Sequence, residues 1–158
     1  MIETIISAAP AVVGVVTLIV GVAALLRDTK IHQDQRNAQL FLEFTKRFEE
    51  VMQSFPQNAW SARLDIEKAP PPRSKALSLG VLRYLNLCSE EFYLCEKGWL
   101  HMDIWKIWED ELLRTLQTPL FVREWQHLCR EFESYPEFKE YVEEAQNGTA
   151  ADFPNLLK

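Results

Sequence analysis

The sequence predicts an all-α protein, with one N-terminal transmembrane helix followed by a compact cytosolic helical domain of about five helices. Residues 5–26 form an uninterrupted apolar run. Beyond it, apolar residues recur at spacings of three and four, which indicates helices rather than strands. Prolines, glycines and capping residues separate these periodic segments. We therefore predict a membrane anchor over residues 1–28, a helical domain over 29–148 and a flexible tail over 149–158.

The apolar run is long enough to cross a bilayer. Residues 5–26 carry no charge and, at about 1.5 Å per residue, span roughly 33 Å. A signal peptide is the main alternative, but it needs basic residues before its apolar run, and MIET has none. The nearest Lys and Arg residues follow the run, so the positive-inside rule predicts an N-terminus outside and a cytoplasmic C-terminal domain.

Small residues form one stripe along the predicted span. They recur at alternating spacings of three and four, at Ser7, Pro10, Gly14, Thr17, Gly21 and Ala24. Small side chains let two helices approach closely in a membrane, whereas lipid-facing positions have no need of them. The stripe predicts a homo-oligomer with these residues at its seam. The alternative is that glycine and alanine are simply common in membrane helices.

The first helix after the span is predicted over Thr29 to Phe55, as a continuation of the membrane helix, and Pro56 ends it. One face of it is an aromatic stripe, formed by Phe41, Phe44, Phe48, Val51 and Phe55. Such a stripe packs either within the chain or against a second copy. The sequence leaves both arrangements open.

Four more helices follow. Ser74 is a candidate cap for a helix that Gly98 ends, and Asp103 begins the next one. Thr118-Pro119 has the pattern of a helix start, a capping side chain followed by proline at the first helical position. The stretch SYPE, residues 134–137, resembles a capping box before a last helix that ends near Asn147-Gly148.

The composition and motifs disfavour an enzyme and predict no cofactor or metal. No nucleophile elbow or phosphate-binding glycine loop is present. Glu124-x-x-His127 matches half of a di-iron motif and lacks its second copy. The acidic run of residues 109–111 is interpreted as a solvated helix face. The cysteines, Cys88, Cys95 and Cys129, are interpreted as buried thiols in a reducing compartment.

The proline-rich loop before residue 75 is the candidate ligand site. It combines one aromatic plane with three cations, Trp60, Arg63, Arg73 and Lys75. Cationic side chains bind phosphate and an aromatic ring stacks on a base, so these residues predict a small anionic nucleotide ligand. The alternative is that Trp60 fills the core and PPPR is a rigid linker. The net charge of −6 disfavours binding of duplex nucleic acid.

The stretch NLCSEEFYLCEKGWLHMDIWKIWEDELLRTLQTPLFVREW, followed by YPEFKEYV, resembles a loosely defined group of bacterial single-pass membrane proteins. The resemblance covers most of residues 75–142 and implies an inner-membrane location, with no assigned active site. The architecture, one membrane helix on a small cytosolic domain, is similar to that of the membrane-associated effectors of type III CRISPR defence. That similarity implies an antiviral role with a cyclic oligoadenylate as the signal.

Two functions follow from these observations. The first is a non-enzymatic, oligomeric inner-membrane effector whose cytosolic domain binds a signal, a cyclic nucleotide second messenger in antiviral defence, and perturbs the membrane. The second is a single-pass adaptor that docks a cytosolic protein at the membrane.

Overall fold

The computed structural model describes the backbone of residues 2–149 and the side chains of residues 18–149. These residues form helices and no strand, which confirms the all-α class and the number of five helices. The helices are α1 (Ile2–Ser54), α2 (Lys75–Glu96), α3 (Met102–Leu116), α4 (Pro119–Leu128) and α5 (Pro136–Asn147). Short 3-10 turns cover Gln57–Ala59 and Cys129–Phe132.

The chain divides into two compact units, Met1–Leu40 and Phe41–Lys158. In the first unit, the side chains of residues 18–36 are all exposed. Within the residues whose side chains the structure describes, no helical segment is both long enough and apolar enough to cross a membrane. The predicted transmembrane helix is therefore not confirmed. Most of the predicted span, residues 5–17, lies outside those side chains, as do Ser7, Pro10, Gly14 and Thr17 of the predicted seam.

The core of the second unit is centred on the ring of Phe92 in α2. Its centroid lies 5.1 Å from that of Tyr141, 5.7 Å from Phe138 and 6.0 Å from Trp105. The ring therefore joins α2 to α3 and α5 in edge-on and tilted contacts, the arrangements that aromatic pairs prefer.

The aromatic stripe of α1 packs within the chain. Phe44 and Phe55 are buried, and the ring contacts pair Phe44 with Trp108, Phe48 with Tyr84 and Phe55 with Phe121. Within the described residues, the C-terminal part of α1 thus covers α2, α3 and α4. This answers the question that the sequence left open about the stripe.

Most helix ends match the sequence signals. The backbone N–H of Leu77 donates to Ser74 Oγ at 3.1 Å, as a cap for α2. Gly98 and Gly148 adopt φ values of 66° and 69° after α2 and α5, the left-handed conformation that glycine tolerates best. The start of α3 is one residue earlier than predicted, at Met102. Helix α4 begins at Pro119 as predicted, but the Thr118 hydroxyl does not cap it and instead donates to the Thr115 carbonyl at 2.8 Å.

The predicted capping box at SYPE is wrong. The residue before α5 is Tyr135, not Ser134, and no side chain caps the helix. Pro136 occupies the first helical position, where its missing N–H removes a donor that would have had no intrahelical partner.

Replacing Phe92 by alanine tests the assignment of the core. Phe92 is almost fully buried, so Phe92→Ala should lower the free energy of unfolding by about 3–5 kcal/mol. Leu79→Ala on the same helix is the control, since Leu79 is exposed, and it should cost less than about 1 kcal/mol. Urea denaturation of the full-length protein, followed by tryptophan fluorescence, measures both. Equal losses would contradict this core.

Candidate functional site

A cavity of about 190 Å³ lies between α1, α2 and α3 in the second unit. Its lining is mainly apolar. The residues that give it its chemical character are four aromatic side chains and two carboxylates, Phe44, Phe48, Tyr84, Trp108, Glu91 and Glu111. Larger apolar pockets with a few polar groups are the usual form of a small-molecule site, and this cavity is a small version of one.

Helical periodicity brings these side chains together. Phe44 and Phe48 are four residues apart on α1, while Trp108 and Glu111 are three apart on α3, so each pair shares one helix face. On α2, Tyr84 and Glu91 are two turns apart and point into the same space. The cavity is therefore formed where one face from each of these three helices meets the other two.

Glu111 is the centre of a hydrogen-bond network at one side of the cavity. It accepts from Tyr84 Oη at 2.6 Å and from Thr115 Oγ1 at 3.1 Å, and it forms an ion pair with Arg63. The Arg63 side chain is only 10% exposed, and its guanidinium carbon lies 5.6 Å from the centre of the Phe48 ring. The negative charge of Glu111 is thus already neutralised by the protein.

Glu91 has less compensation. It is 6% exposed, and no described residue lies at hydrogen-bond or ion-pair distance from its carboxyl group, although the carboxyl oxygens are not among the fully enclosed polar atoms without a partner. Burial, followed by repulsion from Glu111, raises the pKa of Glu91 to about 8, although Arg47 acts in the opposite direction. At neutral pH this carboxyl group is therefore mostly protonated.

Arg47 is the basic residue that acts on Glu91, but it forms its ion pair with Glu90. Its two terminal nitrogens donate to the carboxylate oxygens of Glu90 at 2.6 and 2.7 Å. Its guanidinium carbon also lies 5.1 Å from the centre of the Phe44 ring. This two-point pair holds Arg47 towards Glu90 rather than Glu91.

The other titratable groups of the cavity are poorly suited to covalent or acid–base chemistry. Burial raises the pKa of the Cys88 thiol well above its ordinary value, and it does the same for the Tyr84 phenol. A thiol that stays protonated is a weak nucleophile. The arrangement is therefore better suited to binding than to catalysis.

The four residues predicted to bind a nucleotide have different surroundings. Trp60 is 52% exposed and Lys75 is exposed at the first position of α2. Arg63 is buried against Glu111, and Arg73 Nε lies 3.4 Å from a carboxylate oxygen of Glu124. An anionic ligand would have to compete with these carboxylates for both arginines. The nucleotide site stays a prediction.

Of the predicted seam, the structure describes the surroundings of Gly21 and Ala24, and both residues are exposed. A Cβ atom added at Gly21 would meet no atom within 4 Å. Nothing within the described part of the chain therefore requires a glycine at this position. The role of the seam stays a prediction.

Glu124, which the sequence pattern placed in a half di-iron motif, fastens the proline-rich loop to α4. Its fully buried carboxylate accepts from Ser78 Oγ at 2.7 Å and from Arg123 Nη2 at 2.8 Å. Arg123 in turn donates to the carbonyl of Pro71 at 2.7 Å. His127 is exposed, and no cluster of metal-ligating side chains occurs among the described residues.

The acidic run of residues 109–111 is not the solvated face that the sequence suggested. Only Asp110 is exposed, whereas Glu109 is buried and accepts from Tyr141 Oη at 3.2 Å. Glu111 points into the cavity. The spacing could have predicted the inward position of Glu111. This residue lies three residues after Trp108 and four before Thr115, on the inward face of α3.

Comparison with known proteins identifies no relative: no family model, curated protein or solved structure matches this chain. The functional conclusion therefore rests on the geometry of the described residues.

Glu124→Gln tests the role of this carboxylate. The change leaves the Arg123 guanidinium without its anion, so it should lower the free energy of unfolding by about 2 kcal/mol or more. Arg73→Gln should cost less than about 1 kcal/mol, because the Arg73 side chain is nearly half exposed. Chemical denaturation of the full-length protein distinguishes the two. A larger loss for Arg73→Gln would contradict this account of the loop.

Glu91→Gln tests the protonation of the cavity. In the folded protein the pKa of Glu91 is about 8, against an ordinary value of 4.5, so the folded state binds more protons between these values. Stability contributed by this group is complete at low pH and should fall as the pH rises from about 4.5 to 8. Glu91→Gln should remove that fall and stabilise the protein at pH 8. The measurement is the free energy of unfolding as a function of pH; an unchanged profile would contradict a buried, protonated Glu91.

Proposed function

We propose that this protein is a non-enzymatic, membrane-anchored sensor or effector whose helical domain binds a small signal molecule. The observation that carries the proposal is the cavity between α1, α2 and α3, which holds a buried carboxyl group without a partner among the described residues. Burial of a carboxyl group without a hydrogen-bond partner lowers stability, even where its oxygens are not fully enclosed, as in Glu91. A bound ligand would supply the missing partner.

The cavity is lined in part by the helix that carries the apolar run. Phe44, Thr45 and Phe48 belong to α1, and α1 is one helix from Ile2 to Ser54. A ligand in the cavity therefore contacts the same helix that would anchor the protein. It can alter the assembly of that helix only if it binds one assembly state better than another.

The proposed anchor is residues 5–26, with the C-terminal side in the cytoplasm. Its support is the uncharged apolar sequence, together with the exposure of Leu18, Ile19 and Val20 in the described part of the run. Consecutive exposed apolar residues cover all sides of a helix, as lipid contact requires and contact with water disfavours. The small-residue seam would then join copies of the chain.

The size and charge of the cavity favour a small ligand over a nucleotide. A space of about 190 Å³ is close to that of cavities that hold a single aromatic ring, roughly 150 Å³. The described lining of the space has no Lys or Arg side chain to bind phosphate, and Glu91 would repel phosphate when it is ionised. A cyclic nucleotide would instead bind outside the cavity, near Trp60 and Lys75. An effector that responds to a cyclic nucleotide would therefore depend on those two residues.

An adaptor that docks a cytosolic protein is the second candidate. It is favoured by exposed apolar side chains in the loop between α1 and α2, at Trp60, Leu64 and Ile66. Exposed apolar residues close together in a chain are typical of protein-binding surfaces.

The oligomer is tested by changing Gly14 and Gly21 together to leucine in the full-length protein. Larger side chains at the seam should prevent close helix approach and dissociate the assembly. Native mass spectrometry of the protein released from membranes measures the number of copies. The control is the pair Val12→Leu and Ile19→Leu, which has the same spacing on the opposite side of the helix and should leave the assembly intact. A monomer for the unaltered protein would contradict the seam.

Replacing residues 1–26 with an unrelated single membrane helix separates the two functions. An effector that acts through its own membrane helix should lose its effect on membrane potential or growth, whereas an adaptor should keep its function. The readout is the membrane potential of cells that express each form. An unaltered effect after the exchange would contradict the effector and support the adaptor.

A further inference from the structure

We infer that the cavity between α1, α2 and α3 binds a small organic cation, an amine or quaternary ammonium, with its positive charge beside Glu91. The inference rests on the proposed function and specifies the class of its ligand. It follows from the charge balance around the cavity, the aromatic side chains in its walls and the dimensions of the space.

The charges around the cavity pair off except for one carboxyl group. Arg63 neutralises Glu111, and Arg47 neutralises Glu90, each at hydrogen-bond distance. Glu91 remains without a hydrogen-bond or ion-pair partner among the described residues and lines the cavity. A single positive charge in the cavity would complete the balance once Glu91 is ionised, whereas an anion would meet no Lys or Arg side chain among the described residues that line the space.

The walls are suited to the same ligand. Phe44, Phe48, Tyr84 and Trp108 line the space, and aromatic rings attract cations through the negative potential of their faces. Two of these rings already interact with cations of the protein, since Arg47 lies over Phe44 and Arg63 over Phe48. Cages of aromatic rings with one or two carboxylates are a common solution for binding ammonium groups.

The dimensions limit the ligand to a few carbon atoms around one charge. The space of about 190 Å³ accommodates a trimethylammonium group with a short chain. Ile107 lines the cavity and is 61% exposed, so the space reaches the protein surface beside this residue. A ligand could enter there without disruption of the core.

Binding of a cation should release a proton. The groups that act on Glu91 are Glu111 from α3, Arg47 from α1 and Glu90 from its own helix, and Cys88 and Tyr84 also line the cavity. Burial is the main reason that Glu91 holds its proton at neutral pH. A bound cation favours the ionised carboxylate, so the affinity should rise with pH until Glu91 is ionised without the ligand.

The test is isothermal titration calorimetry with choline on the full-length protein in a maltoside detergent and phosphate buffer. Choline has the required size and a permanent positive charge. Its neutral isostere, 3,3-dimethylbutan-1-ol, has the same shape without the charge. We expect choline to bind with a Kd below about 1 mM and the alcohol to bind about tenfold more weakly or worse.

Three variants locate the charge. Glu91→Gln should weaken choline binding by about tenfold or more, and it should still fold because glutamine matches the shape of the protonated acid. Glu49→Gln removes the same charge from an exposed position on α1 and should change the affinity less than about twofold. Trp108→Leu keeps the wall apolar and should weaken binding of choline by about threefold or more, but not of the alcohol.

The pH dependence gives an independent readout. The affinity for choline should rise by up to about tenfold per pH unit from pH 6 to about 8 and then level off, and Glu91→Gln should abolish this rise.

Three results would overturn the inference. Equal binding of choline and the alcohol would show a ligand cavity that does not select cations, and the proposed function would survive. Choline binding that Glu91→Gln leaves unchanged would place the cation elsewhere. Absence of binding by both probes would remove the cavity as a ligand site, and with it the sensor, while the oligomer test on Gly14 and Gly21 stays unaffected.

Discussion

The ion pair between Arg63 and Glu111 is the interaction on which the other features of the helical domain depend. It buries a guanidinium from the loop after α1 against a carboxylate of α3, and Tyr84 Oη of α2 donates to the same carboxylate. Three parts of the chain are thus joined at one polar point within an aromatic core. A buried pair of this kind adds little net stability over an apolar substitute, but removal of one partner leaves an uncompensated charge. Its main effect is to fix which carboxylate of the cavity is neutralised.

Glu91 is thereby left as the carboxyl group of the cavity without an ion-pair partner among the described residues. Arg47 could have neutralised it but is held by Glu90 on the outer side of α2. The domain therefore combines an aromatic core around Phe92 with a cavity that contains a buried, mostly protonated carboxyl group. Ligands that complete a buried polar site can be selected strongly over those that do not, since the mismatch leaves polar groups unpaired. A sensor that responds to one chemical class needs this property.

The sequence predicted the parts of the fold that depend on local signals. The cap at Ser74, the glycines after α2 and α5 and the aromatic periodicity of α1 all act within a few residues, and the structure confirms them. The burial and pairing of the carboxylates could not be predicted in this way. Whether Glu91 or Glu111 is buried depends on which helices pack against it, and Glu124 acquires its role from Arg123 and a loop some fifty residues away. Trp60, Arg63, Arg73 and Lys75 are neighbours in the chain, but carboxylates from two different helices engage the two arginines.

The central claim is that Glu91 is a protonated, unpaired carboxyl group that a cation ionises. The most direct measurement is a pH titration of the Glu91 carboxyl carbon by NMR in the full-length protein labelled with ¹³C-glutamate, assigned by comparison with Glu91→Gln. The account predicts a pKa of about 8 without a ligand, and a pKa lowered by at least about one unit when choline is saturating. A pKa near 4.5 without a ligand, or one that choline leaves unchanged, would contradict it.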